Sequence, residues 1–117
     1  MSSKFMVFMK VGELGMYSID TNVFLMATGC DFQSDIGVRF RQIAIRSLHE
    51  VSDDILQGRE SNRALAHKVK GIALSFGAME IARICLKLEY YDVVINESAG
   101  KKILMDMSSA MIHLCDA

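Results

Sequence analysis

Not one of the 117 residues is proline. Proline fixes φ, lacks a backbone N–H and breaks helix interiors, so its absence leaves every long apolar-periodic run free to be helical from end to end. Nine methionines point the same way, because methionine favours helices and fills gaps between them. The chain has the size of one ordinary domain, long enough to bury roughly two thirds of its unfolded surface in one core.

Apolar spacing sets out the expected helices. Asp20 reads as the N-cap of a short helix carrying Val23, Phe24 and Met26 and stopping near Gly29. A second helix is expected from about Gln33 to about Gln57, with Gly58 as its stop and Ile36, Phe40, Ile43, Ser47, Val51 and Ile55 as its core stripe. Arg41 and Arg46 fall on the opposite, solvated face, where Val38 and Ile45 imply a second packing partner. Ser61 caps a third helix that continues to about Phe76 on a stripe of Leu65, Val69, Ile72 and Phe76.

A fourth helix is expected from Ala78 to Val94, with Ile81, Ile84 or Cys85, Leu88 and Tyr91 inward. Asn96 to Gly100 reads as a loop, and a last helix from Lys101 to Leu114 buries Ile103 or Leu104, Met107, Met111 and Leu114. The expectation is an all-α fold: an antiparallel up-and-down four-helix bundle with a short N-terminal capping helix. It occupies residues 19–117. Residues 1–18 form an N-terminal segment in which Gly12 and Gly15 separate apolar clusters and Phe5 to Met9 reads as a short helix or strand.

A formal net charge of −1 lacks the basic excess that nucleic acid or an anionic membrane selects, so neither is an expected partner. Three widely spaced cysteines without a CxxC pair suggest neither a disulfide framework nor a zinc site, and reduced thiols fit the cytosol. The apolar run after MSSK is too short to span a membrane and lacks a cleavage pattern, so a cytoplasmic protein without membrane insertion is expected. No residues suggest a hydrolytic triad, and no glycine-rich phosphate loop follows a strand.

The stretch AHKVKGIALSFGA, Ala66 to Ala78, carries the candidate chemistry. At about 100° per residue, His67 lies opposite the core stripe of its helix and faces out. A neutral imidazole nitrogen attacks phosphorus without a base to activate it, and an unperturbed histidine is largely neutral near pH 7. Lys70, one turn on, can set an ammonium beside phosphoryl oxygens. Gly71 costs a helix about 1 kcal/mol relative to alanine, which asks for a compensating role. With Ala64 and Ser75 it leaves a low shoulder beside the imidazole, and Arg63 and Leu74 flank the other side.

The run HKVKGIALSFGA, followed by Cys85 and then Leu88-Glu89, resembles the signature of histidine-containing phosphotransfer (HPt) domains of bacterial multistep phosphorelays. The family pattern is H-x-x-K-G-x-x-x-x-x-G-A with a downstream C-x-x-L-E, and every element is present. Phe40 to Leu48 is similar to the family's F-and-L-bearing helix, and Ile19 to Asp31 to its capping segment, so the resemblance spans roughly residues 19 to 115. It implies a phosphocarrier without catalytic turnover of its own, in which His67 reversibly takes a phosphoryl group from a receiver-domain aspartate and passes it to another receiver. Lys70 then stabilises the phosphate, and Gly71 keeps the approach open.

The partners implied are response-regulator receiver domains and a hybrid sensor histidine kinase. Val38, Gln42, Ile45, Arg63, Ala64, Leu74 and Ser75 are the expected docking residues. Mg²⁺ belongs to the receiver in such transfers, so no cofactor or metal site is expected in this chain. Two alternatives share the histidine: the phosphoacceptor domain of a chemotaxis-type histidine kinase, and an adaptor that binds a receiver without accepting phosphate. The chemotaxis family often has T-H-x-L-E downstream, where this chain has Ile84-Cys85-Leu86-Lys87-Leu88-Glu89.

Overall fold

Side-chain caps decide where the helices begin. A computed structural model describes residues 6–10, 16–91 and 93–116, with side chains described for 17–91 and 93–116. Asp20, Ser34, Ser61 and Asn96 each accept a backbone N–H from the first turn of the helix that follows, which satisfies a donor that has no partner within the helix. The helices so started are α1 (Thr21–Thr28), α2 (Asp35–Gln57), α3 (Asn62–Ser75) and, after the uncapped α4 (Met79–Tyr90), α5 (Glu97–Cys115). Ahead of them, β1 (Met6–Lys10) and β2 (Met16–Asp20) form one antiparallel pair with Met6 opposite Asp20. The described chain is mostly helical, so an all-α class holds apart from this strand pair.

The expected starts at Asp20 and Ser61 and the stops at Gly29 and Gly58 match the structure. Asn96 to Gly100 does not form a loop. Asn96 caps α5, and Gly100 lies buried in its first turn against Asn62, whose Nδ2 donates to the Glu97 carbonyl at 3.0 Å. The fourth helix ends at Tyr90 instead of Val94, which leaves Tyr91 exposed and not inward. Of the amino-terminal expectations, Met6 to Met9 lie in a strand, whereas Phe5, Gly12 and Gly15 lie outside the described residues.

The expected core stripe of α2 requires correction. Ile36, Phe40 and Ile43 are exposed, and the buried face is Gly37, Arg41, Ala44, Leu48, Val51 and Ile55. The two sets share a spacing and differ by about one residue of rotation in the first half of the helix. Backbone decides between them: the chain at Asp31 and Phe32 lies against Gly37 so closely that a Cβ there would collide with the Asp31 carbonyl oxygen. Arg41 follows on the same face, donating from Nε to the Cys115 carbonyl at 2.7 Å and from Nη1 to the Phe32 carbonyl at 3.2 Å, with its guanidinium 4.1 Å from the Phe32 ring centroid. A buried arginine is tolerated when its donors are taken up, and here they tie α2 to both ends of its surroundings.

α3 packs most extensively on α4, and α2 on α5. Leu48, Leu65, Val69, Ile81, Cys85, Leu104, Met107 and Met111 are buried between them. At one end Phe24, Phe32 and Phe76 form an aromatic cluster with ring centroids 4.9 to 6.3 Å apart. There the chain turns from α3 to α4 at Gly77, whose φ of 68° is left-handed. Asp20 N–H donates to the Phe76 carbonyl at 3.1 Å, so the start of α1 is pinned on this corner. Among the described residues, no helix is long and apolar enough to cross a membrane.

Candidate functional site

His67 sits near the middle of α3, on the face opposite the buried Leu65, Ala66, Val69 and Ala73. Its side chain is 70% exposed. The helix is amphipathic because apolar residues recur at three- and four-residue steps, and that same period turns His67 outward.

The imidazole has a partner on the neighbouring helix. Its Nδ1 lies 2.9 Å from Oε1 of Glu89 on α4, and the other oxygen of that carboxylate, Oε2, lies 2.6 Å from Nζ of Lys70. One carboxylate therefore joins the histidine and the lysine of α3 across the α3–α4 seam. Burial pushes the Glu89 carboxyl up, but the hydrogen bonds from Lys70 and His67 outweigh it and hold the group below the usual glutamate value. An ionised carboxylate only accepts, so the Nδ1 facing it carries the proton. The lone pair of the neutral ring then stands on Nε2, the nitrogen turned away from Glu89.

Lys70 reaches the same side of the molecule as His67, and its ammonium is engaged by Glu89 in a largely covered position, with 20% of the side chain exposed. Lys68 is drawn off to Glu60 at 2.7 Å. Arg63, one turn before His67, is exposed and makes no ion pair among the described residues. Ser61, Arg63, Ala64, His67, Lys68 and Glu89 line one open depression.

Gly71, one turn after His67, is exposed, and a Cβ built on it meets nothing within 4 Å. The fold itself does not need glycine there. Ser75 closes back on the Gly71 carbonyl through its Oγ at 3.2 Å, and Leu74 is 45% exposed. Cys85 lies buried one turn before Glu89, its thiol pushed up to about 12 by burial and by the Glu89 charge.

The expected docking residues divide into two groups. Arg63 and Ala64 share the depression of His67 on α3, whereas Leu74 and Ser75 lie two turns further along the helix, Leu74 beside Lys70 and Ser75 in a groove towards α2. Val38 and Ile45 are half-buried and recur seven residues apart with Ser52, whose hydroxyl meets Ser108 of α5 at 3.2 Å, so they lie on the α5 side of α2, away from α3. Gln42 is exposed on the solvent side of the same helix. The part of α2 that faces α3 is Phe40, Ile43 and Ser47, which share a groove with Ile72, Ser75 and Phe76 of α3 and with Ala27 and Thr28 of α1.

Sequence reasoning left Glu89 out of the site. The signal available was its place in the Leu88-Glu89 pair, but only the α3–α4 packing shows that its carboxylate meets His67 and Lys70. Among the described residues, no group of three or more histidine, cysteine, aspartate or glutamate side chains is placed to hold a metal ion. No family model matches the chain, and no curated protein or solved structure matches it significantly.

Proposed function

We propose that this protein is a phosphorelay intermediate whose His67 accepts a phosphoryl group from a receiver-domain aspartate and returns it to another receiver. The observation that carries the reading is His67 itself: an outward, largely exposed imidazole on a helix, with Nδ1 facing an ionised carboxylate and Nε2 turned away from it. A nucleophile needs an accessible lone pair, and this tautomer supplies it without a base. Gly71, where a Cβ would stand in open space and alanine would be the better helix former, supports the reading, because it keeps the surface beside His67 low.

In this reading α2 to α5 form an antiparallel four-helix bundle and α1 caps the end that carries Phe24 and Phe76. The receiver supplies the acidic pocket and the Mg²⁺. This chain supplies the nucleophile, a surface for docking, and cations for the phosphoryl oxygens. Arg63, without an ion pair among the described residues, is a cation on the His67 face, and Lys70 adds its charge to that side from its place on Glu89.

Incubation with a phosphorylated receiver domain is expected to label the protein with acid-labile, base-stable phosphate. Label that persists in His67→Gln sinks the assignment. The same measurement separates the carrier from an adaptor that binds a receiver and takes no phosphate.

A further inference from the structure

We infer that Glu89 keeps the proton on Nδ1 of His67 after Nε2 has been phosphorylated, and so holds the phosphohistidine in the form that readily gives its phosphoryl group away. The inference rests on the phosphocarrier reading and concerns the second half of its cycle. Its basis is the 2.9 Å contact between Nδ1 and Oε1, made by a carboxylate whose second oxygen is already held 2.6 Å from Lys70. That second contact anchors Glu89, so the acceptor stays in place whichever state Nε2 is in.

The chemistry follows from counting atoms. The Nε2 lone pair attacks phosphorus, the bond from phosphorus to the donor breaks, and the donor atom leaves with the electron pair. The Nδ1 proton is retained, so the product ring is a phosphoimidazolium cation beside a carboxylate anion. When the phosphoryl group moves on, the N–P electron pair returns to Nε2 and the leaving group is a neutral imidazole. Had the Nδ1 proton been lost first, the leaving group would be an imidazolate, which is far more basic and departs far more slowly.

Which form prevails depends on the charges facing the ring. On α4 this is Glu89, with the phenol of Tyr90 in the neighbouring depression that Arg63 and Lys70 share; on α3 they are Arg63, Lys68 and Lys70. Lys68 is paired with Glu60 and Lys70 with Glu89. The carboxylate is the group in hydrogen-bond contact with Nδ1, and an opposite charge at that range favours the charged form of its partner.

Glu89→Gln preserves an oxygen that accepts from Nδ1–H and removes only the charge. Phosphoramidate serves as the donor, since its P–N bond breaks to release ammonia and no receiver is needed. Native protein and the variant are labelled, circular dichroism checks the fold, and ¹⁵N NMR follows Nδ1 of phosphorylated His67 against pH while loss of phosphate is timed. Expected for Glu89→Gln is loss of the Nδ1 proton at a pH about one unit lower, and a phosphohistidine that survives about tenfold longer at mildly alkaline pH.

Equal titration and equal lifetimes overturn this inference and leave the carrier reading intact. Absence of label on His67 in both proteins overturns the two together. If Glu89→Gln fails to fold, the phosphorylated wild type compared before and after unfolding in urea decides: native Nδ1 must hold its proton to a higher pH than unfolded Nδ1, and equality overturns the inference.

Discussion

At the scale of single residues, the environment of a side chain separates groups that look alike in the sequence. The three cysteines are an example. Burial pushes the Cys85 and Cys115 thiols up to about 12, whereas Cys30 is only half-buried in the turn after α1, where its Sγ faces the Thr28 carbonyl. A thiol reagent at pH 8 is expected to modify Cys30 rapidly and the other two only on unfolding; rapid reaction of all three in native protein contradicts this. A raised thiol value contributes stability that is complete below the unfolded value near 8.5 and is lost as pH rises from there towards about 12. Alkaline titration followed by circular dichroism is expected to show that loss, and Cys85→Ser or Cys115→Ser to alter it.

Gly71 and Gly77 make the second residue-scale comparison. A Cβ on Gly71 meets nothing, so Gly71→Ala is expected to raise stability by up to about 1 kcal/mol while slowing transfer from a receiver. A Cβ on Gly77 falls within 3 Å of the Asp20 side chain and carbonyl and of Val23, on a residue with φ of 68°. Gly77→Ala is expected to cost about 2 kcal/mol or more in urea denaturation, the left-handed backbone alone accounting for about 1 to 2. If the two substitutions proved alike in stability, the assignment of one glycine to the approach and the other to the corner would be wrong.

At the scale of elements, the lesson is the rotation of α2. Periodicity defines a helix and its pitch, but two apolar stripes about one residue apart satisfy it nearly equally: Ile36, Phe40, Ile43 and Ser47, or Gly37, Arg41, Ala44 and Leu48. Judged by side chains alone the first is the more apolar and reads as core. The second is buried because its members admit backbone, Gly37 by lacking a Cβ and Arg41 by satisfying two carbonyls that no helix or sheet satisfies. Arg41→Ala is expected to lower stability by about 2 to 4 kcal/mol, since it strips those carbonyls of buried donors and removes the stem packed on Phe32. A loss within 0.5 kcal/mol, roughly the range for a surface site, would falsify this role.

At the scale of the whole molecule, the rotation redistributes the exposed apolar surface. Phe40 and Ile43, freed from the core, stand beside Ser75 and Ile72 and continue the low shoulder of Gly71 towards α1, where Leu25 and Met26 are also exposed. Val38 and Ile45 lie on the α5 side. If a receiver docks on this shoulder, Ile43→Asp is expected to leave the thermal midpoint within a few degrees and to weaken phosphotransfer tenfold or more, because a charge enters the apolar centre of a contact. Ile45→Asp, by contrast, is expected to destabilise the fold by more than 1 kcal/mol, since Ile45 packs against the core. Transfer kinetics alongside thermal melts check both, and an unaffected rate in Ile43→Asp removes this face from the docking surface.

Local chemistry was readable from the chain alone wherever it acts over a few residues. Asp20 and Ser61 as caps, Gly29 and Gly58 as stops and the outward turn of His67 all follow from one helix and its own backbone. Tertiary structure decided what depends on contacts between distant segments. Glu97 to Gly100 became helix because Asn96 caps it and Asn62 closes on its first turn, α2 turned its arginine inward because the Asp31–Phe32 backbone and the Cys115 carbonyl lie against it, and Glu89 entered the site because α4 packs along α3. The period of a sequence reports which residues share a face. It carries no information on whether that face meets side chains, backbone or water.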